Sequence, residues 1–323
     1  MRTKLILLVI VFLYLITGVW TAEGPQDQSK DAVNAFLKKQ FDLAVERVSQ
    51  KQYYCMETKI VHFSLDGKRT KVDTLNLWLE YVPVALSGEK EDRYICRMFI
   101  VQKGTEPPVS IPILKDWSYK FIWGTDEAGR VFGIDHGRFE NLKTDKGDIL
   151  PPVASYFVYN TFIDFHGFCD IFATRTEGGK GIQDLSFIGD KIIHAASNTE
   201  PPVNLGSNVA EGSTFKNGEV TLEFKGISSV DERLCSLVAF DSGESSFNMI
   251  MQPTPKMQIK TVGSSHYKGD LYIDLESYWV RKVVMDEVVI SETILPMPPH
   301  KVNAVIERIT TIRNVSQVEF LQR

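Results

Sequence analysis

From Tyr53 onward, the feature of this sequence that most restricts its fold is the alternation of apolar and polar residues. In Leu75–Tyr81 (LNLWLEY), the three leucines and the tyrosine fall on one face of an extended chain, and the intervening residues fall on the other. Because successive side chains of a strand point to opposite faces, this period of two predicts half-buried antiparallel strands. We therefore expect a mainly β protein of antiparallel curved sheets, half-barrel or sandwich-like.

Turn signals divide the alternating region into strands. Asp66-Gly67 predicts a tight hairpin between Tyr54–Leu65 and Lys71–Val82, because glycine readily adopts positive φ angles. A second hairpin is expected about Gly189-Asp190, with Ile182–Ile188 and Lys191–Ala196 as its strands. The regular spacing of the other turns indicates strands at Arg93–Val101, Tyr119–Trp123, Arg130–Ile134, Glu219–Gly226, Leu234–Phe240, Ser246–Gln252, Lys256–Val262, Asp270–Glu276, Val280–Met285, Val288–Leu295 and Val302–Arg313.

Helical periodicity is clear in one place, before the strands. Ser29–Gln50 places its apolar residues on one stripe and most of its charges off it, which predicts an amphipathic helix with Ser29 as N-cap. We expect this helix to pack on the sheet. Leu150–Ala173 is apolar on nearly all sides, which predicts burial without deciding between helix and strand.

The N-terminus predicts export. A basic start, Met1–Lys4, precedes an apolar run from Leu5 to Ile16, as in a secretory signal peptide. The run is shorter than the roughly 20 residues that a membrane-spanning helix needs. We therefore expect residues 1–22 to be cleaved after Ala22 and the protein to be periplasmic or extracellular. Retention of the run as an N-terminal membrane anchor is the alternative.

Length and charge narrow the possible organisation and partners. We expect a helix plus antiparallel β region at 23–196, a linker or long loop at 197–218, and a C-terminal antiparallel β region at 219–323. One continuous domain across 23–323 is the alternative. The net charge of −5, with acids and bases scattered along the chain, gives no basic surface for nucleic acid.

The four cysteines lie far apart, with no C-x-x-C pair that would indicate a zinc or redox site. In an oxidising compartment they would allow two disulfides, with three alternative pairings. Buried thiols are the alternative, because cysteine is often a small core residue. The residues concerned are Cys55, Cys96, Cys169 and Cys235.

The sequence carries none of the common nucleophile, zinc-protease or nucleotide-binding motifs, and we expect no cofactor and no metal. Asp164, His166 and Asp170 interrupt an otherwise apolar stretch and are the candidate acid and base groups. On a strand, Asp164 and His166 would project to one face, as a catalytic pair requires. Asp274 and Glu276 alternate with aliphatic residues, so we expect both to face solvent.

A resemblance to a known group rests on Gly269–Val283 (GDLYIDLESYWVRKV). This stretch resembles a hairpin of periplasmic half-barrel proteins of the lipoprotein-carrier (LolA-like) kind, which also have a signal peptide, an early amphipathic helix and a run of antiparallel strands. The resemblance implies a curved sheet around an apolar cavity that holds acyl chains. It matches no ligand-binding residue of that group to a position in this chain.

Three functional hypotheses follow. We expect an exported cell-envelope protein that binds or carries an apolar ligand such as lipid, and is not an enzyme. A secreted hydrolase using the Asp/His cluster and a structural or assembly partner of another envelope protein are the alternatives. For the first hypothesis, six large aromatic residues are expected to line either a cavity or a dry core: Trp78, Trp117, Trp123, Phe157, Phe162 and Phe168.

Overall fold

The structure is a computed structural model that describes residues 35–87, 92–201, 212–254, 257–298 and 300–322. The predicted signal peptide, residues 1–22, lies outside the described residues, as does part of the predicted linker, residues 202–211. The chain divides into a unit of residues 1–40 and a unit of residues 41–323. The first unit is described only over residues 35–40, and its residues 35–37 form a single helical turn.

The unit of residues 41–323 is built on a large antiparallel sheet, which confirms the mainly β prediction. The described residues contribute thirteen strands to this sheet. They are β1 (Gln52–Phe63), β2 (Arg69–Val82), β3 (Arg93–Lys103), β4 (Val109–Ser110), β5 (Trp117–Tyr119), β6 (Lys191–Ile193), β7 (Thr214–Lys216), β8 (Thr221–Val230), β9 (Arg233–Asp241), β10 (Ser245–Thr254), β11 (Met257–Asp274), β12 (Val280–Ile294) and β13 (Lys301–Asn314).

Strand pairing joins the two ends of the sequence in one sheet. The order is β4-β3-β2-β1-β13-β12-β11-β9-β8-β6, and β5 adds to β3. Near its end, β11 pairs with β9, and over its first half it pairs with β10, which also pairs with β7. The sheet therefore forks at β11. In the part of the chain that the structure describes, β4 and β6 do not pair with each other, so the sheet is not closed.

Three short or medium helices complete the fold: α1 (Val84–Ser87), α2 (Pro152–His166) and α3 (Gln317–Leu321). A π-helical turn, Gly167–Ile171, continues α2. The undecided apolar segment is thus helical, and it buries Val158, Phe162 and Phe165 in the main core. No helix in the described ranges is both long and apolar enough to cross a membrane.

The amphipathic helix predicted at Ser29–Gln50 is wrong over its described part within this unit, since residues 41–50 contain no helix. They follow the sheet as an irregular chain, with Phe41 N donating to Ser186 O at 2.8 Å and Val48 N to Ser277 O at 3.0 Å. Leu43 is buried in the main core. Long-range contacts therefore stabilise this segment more than the local hydrogen bonds of a helix would. Tertiary structure here overrides the local helical propensity.

The hairpin at Asp66-Gly67 is confirmed, with a longer loop than expected. Ser64 N donates to Lys68 O and Gly67 N to Ser64 O, each at 2.9 Å, and Gly67 has a φ of +79°. This is the three-residue loop in which glycine takes the left-handed position. The hairpin predicted about Gly189-Asp190 is wrong. Ile182–Asp184 is a 3₁₀ turn, and β6 pairs with β8 instead.

Four strands predicted separately near the C-terminus form two long ones. The polar run between Lys256–Val262 and Asp270–Glu276 is part of β11, and Asp286-Glu287 is part of β12. The two strands pair with each other from Lys260↔Ile294 to Ile273↔Val280. Polar residues therefore interrupt the pattern of burial here without interrupting the strands.

Candidate functional site

A cavity of about 400 Å³ lies between α2 and the sheet. Its size falls within the roughly 300–1,000 Å³ typical of small-molecule sites. The sheet side consists of residues of six strands, β1, β7 and β10–β13, and the helix side consists of α2 and the preceding 3₁₀ turn, His136–Phe139. The aromatic and aliphatic members of the lining are Phe139, Pro152, Val153, Tyr156, Phe157, Tyr159, Phe215, Phe247, Met249, Met251, Val289, Ala304 and Ile306.

Strand alternation positions the sheet side of this cavity. Along β12, Glu287, Val289, Ser291 and Thr293 line it, whereas Val288 on the opposite face is 46% exposed. Their partners on β13 are also inward, with Val289 opposite Ile306 and Glu287 opposite Arg308. The lining is therefore a continuous surface that the pleat of two long strands creates.

A buried ion-pair cluster forms part of the cavity wall. Arg308 Nη1 donates to Glu287 Oε2 at 2.6 Å, and Arg308 Nη2 donates to Asp164 Oδ2. Asp164 also accepts from Asn160 Nδ2 on the preceding turn of α2. A buried cation needs such partners, because an unpaired charge is costly away from water.

The cluster has two carboxylates for one guanidinium. Burial lowers the pKa of Arg308, but the charges of Asp164 and Glu287 outweigh it, so that the net shift is upward and the guanidinium stays charged. Burial raises the pKa of Asp164 to about 6; Arg308 opposes this shift, and the charge of Glu287 adds to it. Near neutral pH the cluster therefore carries net negative charge.

Polar groups without partners also line the cavity. Ser155 is 7% exposed, and its Oγ has no hydrogen-bond partner among the described residues. Glu287 uses Oε2 for Arg308, and its Oε1 accepts no hydrogen bond in the part of the chain that the structure describes. Burial raises the pKa of the lining residue Tyr156 to about 12, so its hydroxyl keeps its proton. An apolar wall with a few polar groups is typical of a small-molecule site.

A second cluster surrounds Asp170 on the π-helical turn. His166 Nδ1 lies 2.7 Å from Asp170 Oδ2, and Arg47 Nη1 lies 2.7 Å from Asp170 Oδ1. Tyr94 Oη is 3.0 Å from both carboxylate oxygens, and Tyr119 Oη is 2.7 Å from His166 Nε2. Both nitrogens of the imidazole are thus occupied, and His166 is fully buried.

Electrostatics keep Asp170 ionised in this cluster. Burial raises its pKa, but the hydrogen bond from His166 and the charge of Arg47 outweigh burial and lower it overall. Arg47 also lies 4.4 Å from the ring centroid of Trp279, whose Nε1 donates to Val48 O at 2.8 Å. The cluster therefore fastens the irregular segment of residues 41–50 to the sheet.

A groove of about 700 Å³ lies beside this cluster, with Asp170, Arg47 and Lys120 among its lining. It is larger than the cavity, but its lining is rich in charged groups, and Asp170 already accepts hydrogen bonds from three side chains. The cavity between α2 and the sheet has the more apolar wall, and Ser155 Oγ and Arg308 Nε on that wall have no partners among the described residues. On the groove, Arg47 Nε is the one such atom in the described part of the chain. We therefore take that cavity as the candidate site.

The structure separates the three residues of the candidate acid/base cluster. His166 and Asp170 hydrogen-bond to each other, but Asp164 contacts Arg308 on the cavity side. The strand geometry that would have placed Asp164 and His166 on one face does not occur, because both lie in α2. Among the described residues, no group of three or more His, Cys, Asp or Glu side chains is arranged to hold a metal.

The solvent-facing position predicted for Asp274 is wrong, and that of Glu276 is confirmed. Asp274 is 1% exposed, and its Oδ1 accepts from Glu276 N at 2.9 Å and Ser277 N at 2.8 Å. It thereby caps the turn between β11 and β12. Glu276 is exposed and pairs with Arg233.

No disulfide joins the four cysteines, all of which lie among the described residues and are buried. The two-disulfide arrangement is therefore absent from the structure. Cys96 and Cys169 belong to the main core, and Cys55 lies with α3 in a small cluster on the other face of the sheet. Burial raises the pKa of Cys235 to about 11, and the charge of Asp274 adds to this shift.

The six aromatic residues divide between environments. Trp117, Phe162 and Phe168 are core residues, and Phe157 lines the cavity. Trp78 packs on the small cluster that holds Phe320 of α3, and Trp123 is 50% exposed.

Sequence reasoning missed Arg308, Glu287 and Arg47. A signal for Arg308 was present, because Ala304, Ile306, Arg308 and Thr310 alternate on β13 and a charge in that series is conspicuous. Nothing local marks Arg47, whose partner Asp170 lies 123 residues along the chain.

No protein-family model matches this chain, and no curated protein matches it. Among solved structures, it is similar to OmpTdeltaL8, the loop L8 deletion mutant of OmpT, an outer membrane protein of Vibrio cholerae. The identity is 10%, the alignment covers 82% of this chain and 99% of that chain, and the TM-score is 0.15. A likeness at this level shows nothing about the function of this chain.

Proposed function

We propose that this chain is an exported cell-envelope protein that binds an apolar ligand, such as a lipid, in the cavity between α2 and the sheet. The observation that carries the proposal is the lining of that cavity, in which aromatic, aliphatic and methionine side chains from α2, β7, β10, β12 and β13 surround about 400 Å³. Methionine suits such a wall because its flexible thioether adapts to ligands of different shape. Export rests on the basic and apolar N-terminal sequence.

Native mass spectrometry of the protein purified from its own cell envelope tests both parts of the proposal. We expect a mature chain beginning at Glu23 that carries a co-purified apolar molecule, released by organic solvent. Recovery of a chain that keeps Met1 from the envelope would contradict cleavage and favour the N-terminal anchor, and recovery of that chain from the cytoplasm would contradict export. Recovery of the chain without any bound molecule, together with failure to bind an apolar dye, would contradict the ligand-binding function.

Neighbouring residues of β12 provide a matched pair of variants. Val289 lines the cavity, whereas Val288 faces away from it and is 46% exposed. Val289→Trp places an indole in the cavity, so we expect its affinity for the neutral dye N-phenyl-1-naphthylamine to fall at least about tenfold, or about 1.4 kcal/mol. Val288→Trp adds the same side chain on the opposite face and should bind like the wild type. Equal dye binding by both variants would place the dye elsewhere.

One observation favours a second candidate, a structural or assembly role in the envelope. Val288 and Ile290 are exposed on the outer face of β12, at 46% and 56%. Exposed apolar residues that lie side by side are typical of contact surfaces. Sedimentation of the purified protein would show self-association, and Ile290→Ser should abolish it if this face is the contact.

A further inference from the structure

The charges around the cavity indicate what kind of polar end its ligand carries. We infer that the cavity takes an amphiphile with an uncharged, hydroxyl-bearing head, such as a long-chain alcohol or an acylglycerol, and discriminates against the carboxylate of a free fatty acid. This inference rests on the proposed ligand-binding function and goes beyond it by naming the ligand class.

The wall of the cavity contains a strong cation, the guanidinium of Arg308. Arg308 is the only Lys or Arg among the described residues that line the cavity. In a site for fatty acids, a buried arginine would offer its fork of donors to the ligand carboxylate. Here Nη1 donates to Glu287 and Nη2 donates to Asp164, so both terminal nitrogens of the guanidinium already hold carboxylates of the protein. Its Nε has no partner among the described residues, and this single donor does not make a fork for a ligand carboxylate.

A ligand head group that enters the cavity meets carboxylates of the protein. Glu287 and Glu140 both line the cavity, and Asp164 contacts Arg308 beside it. A ligand carboxylate near Glu287 would lose its hydration and meet a like charge, and like charges within about 4–6 Å disfavour ionisation of both groups. An uncharged head avoids both costs.

Two oxygens of the cavity wall can form hydrogen bonds with a ligand hydroxyl. Glu287 Oε1 accepts no hydrogen bond from the part of the chain that the structure describes, and it can therefore accept one from a ligand hydroxyl. The Ser155 Oγ, in a residue 93% buried and on the lining of the same cavity, has no partner among the described residues and can donate or accept. Since a buried hydroxyl without a partner is costly, its presence here points to a ligand that supplies one.

The test compares two ligands that have the same chain and differ in their heads, 1-decanol and decanoate. Each displaces N-phenyl-1-naphthylamine from the purified protein at pH 8, where free decanoate is ionised. We expect 1-decanol to bind at least about tenfold more tightly than decanoate. Tighter binding of decanoate would overturn the inference and leave the proposed function standing. Failure of the dye and of both ligands to bind would instead contradict the proposed function itself.

Two variants separate the role of Glu287 from the general preference of an apolar wall for neutral molecules. Glu287→Gln removes the like charge and keeps an oxygen that can accept a hydrogen bond, so the affinity for decanoate relative to that for 1-decanol should rise about tenfold. Asp286→Asn, on the same strand but on the exposed face, removes an equal charge away from the cavity and should change neither affinity. An unchanged ratio of the two affinities in Glu287→Gln would overturn the inference.

A second variant covers the case in which Glu287→Gln does not fold. Ser155→Ala removes the unpartnered hydroxyl, and we expect it to weaken 1-decanol binding several-fold more than dye binding, because the dye carries no hydroxyl. Unchanged 1-decanol affinity in this variant would show that the ligand hydroxyl lies elsewhere and would contradict the inference.

Discussion

At the scale of single residues, the charged groups inside this protein are explained by partners that lie far away in sequence. Asp164 and Asp170 are six positions apart on one helical stretch, yet Asp164 pairs with Arg308 of β13 and Asp170 with Arg47 of the N-terminal segment. Each aspartate would be costly alone in an apolar environment. Their different partners also give them opposite pKa shifts, upward for Asp164 and downward for Asp170.

The raised pKa of Asp164 predicts a pH dependence of stability. Burial raises this pKa to about 6 from the ordinary value of 3.8, so between these values the folded protein holds a proton that the unfolded chain releases. The free energy of unfolding contributed by this group therefore falls as pH rises through that window. At about 1.4 kcal/mol per pKa unit, the fall is on the order of 3 kcal/mol.

Asp164→Asn removes this titration. We expect the difference in unfolding free energy between wild type and variant, measured by urea denaturation, to shift in favour of the variant from pH 4 to pH 7. Asp286→Asn is the control, because it removes an exposed carboxylate of β12. The difference between its unfolding free energy and that of the wild type should stay constant over this pH range. Parallel curves for Asp164→Asn and wild type would show that Asp164 does not titrate differently in the folded and unfolded states.

At the scale of elements, close approach of the backbones of β11 and β12 depends on glycine. A Cβ added at Gly269 would collide with Val284 O and lie 2.9 Å from Met285 Cα, both backbone atoms of β12. Backbone atoms cannot move aside by a rotamer change, so the two strands would have to separate. Gly269, which lies between two strands that were predicted separately, is thus part of what allows a continuous eighteen-residue strand.

Gly269→Ala should therefore destabilise the protein. We expect a loss of about 2–3 kcal/mol in unfolding free energy, in the upper range for overpacking. Gly167→Ala is the matched control, because a Cβ there meets nothing within 4 Å and the residue has a helical φ of −54°. Since alanine is favoured over glycine in a helix, this control should be neutral or stabilising by up to about 1 kcal/mol. Equal effects of the two substitutions would contradict the close approach of the strands.

At the scale of the whole molecule, stability comes from the core alone, without covalent cross-links among the four cysteines. One large apolar cluster joins β1–β3 to β8, β9 and β11–β13 through α2, and a smaller one lies beneath α3. Long-range strand pairing such as that of β1 with β13 makes folding non-local, and topologies of this kind fold slowly.

The burial of the thiols predicts their reactivity. In the native protein, we expect almost no reaction of the four cysteines with a thiol reagent, because Cys55, the most exposed of them, is only 8% exposed. All four should react after unfolding in guanidinium, with or without prior reduction. A requirement for reductant, or a disulfide-linked peptide in a non-reducing digest, would contradict the structure.

The sequence alone determined those features of the fold that depend on the local periodicity of apolar and polar residues. Alternation along the chain predicts the long strands and the antiparallel class, because the side-chain period of an extended chain is a local property. The strands predicted at Arg130–Ile134 and Ile182–Ile188 do not form. It also predicts the hairpin at Gly67 and the burial of Leu150–Ala173. Export and the lipoprotein-carrier resemblance remain predictions from sequence.

Tertiary structure decided which of several locally acceptable conformations each ambiguous segment adopts. Residues 41–50 have a helical pattern but form an irregular segment, because residues distant in sequence supply partners: Ser186 for Phe41, the main core for Leu43 and Asp170 for Arg47. The cavity and its Arg308 cluster exist only because β12, β13 and α2 meet. Contacts between residues more than a hundred positions apart leave no periodic trace in a sequence, and they are what form this site.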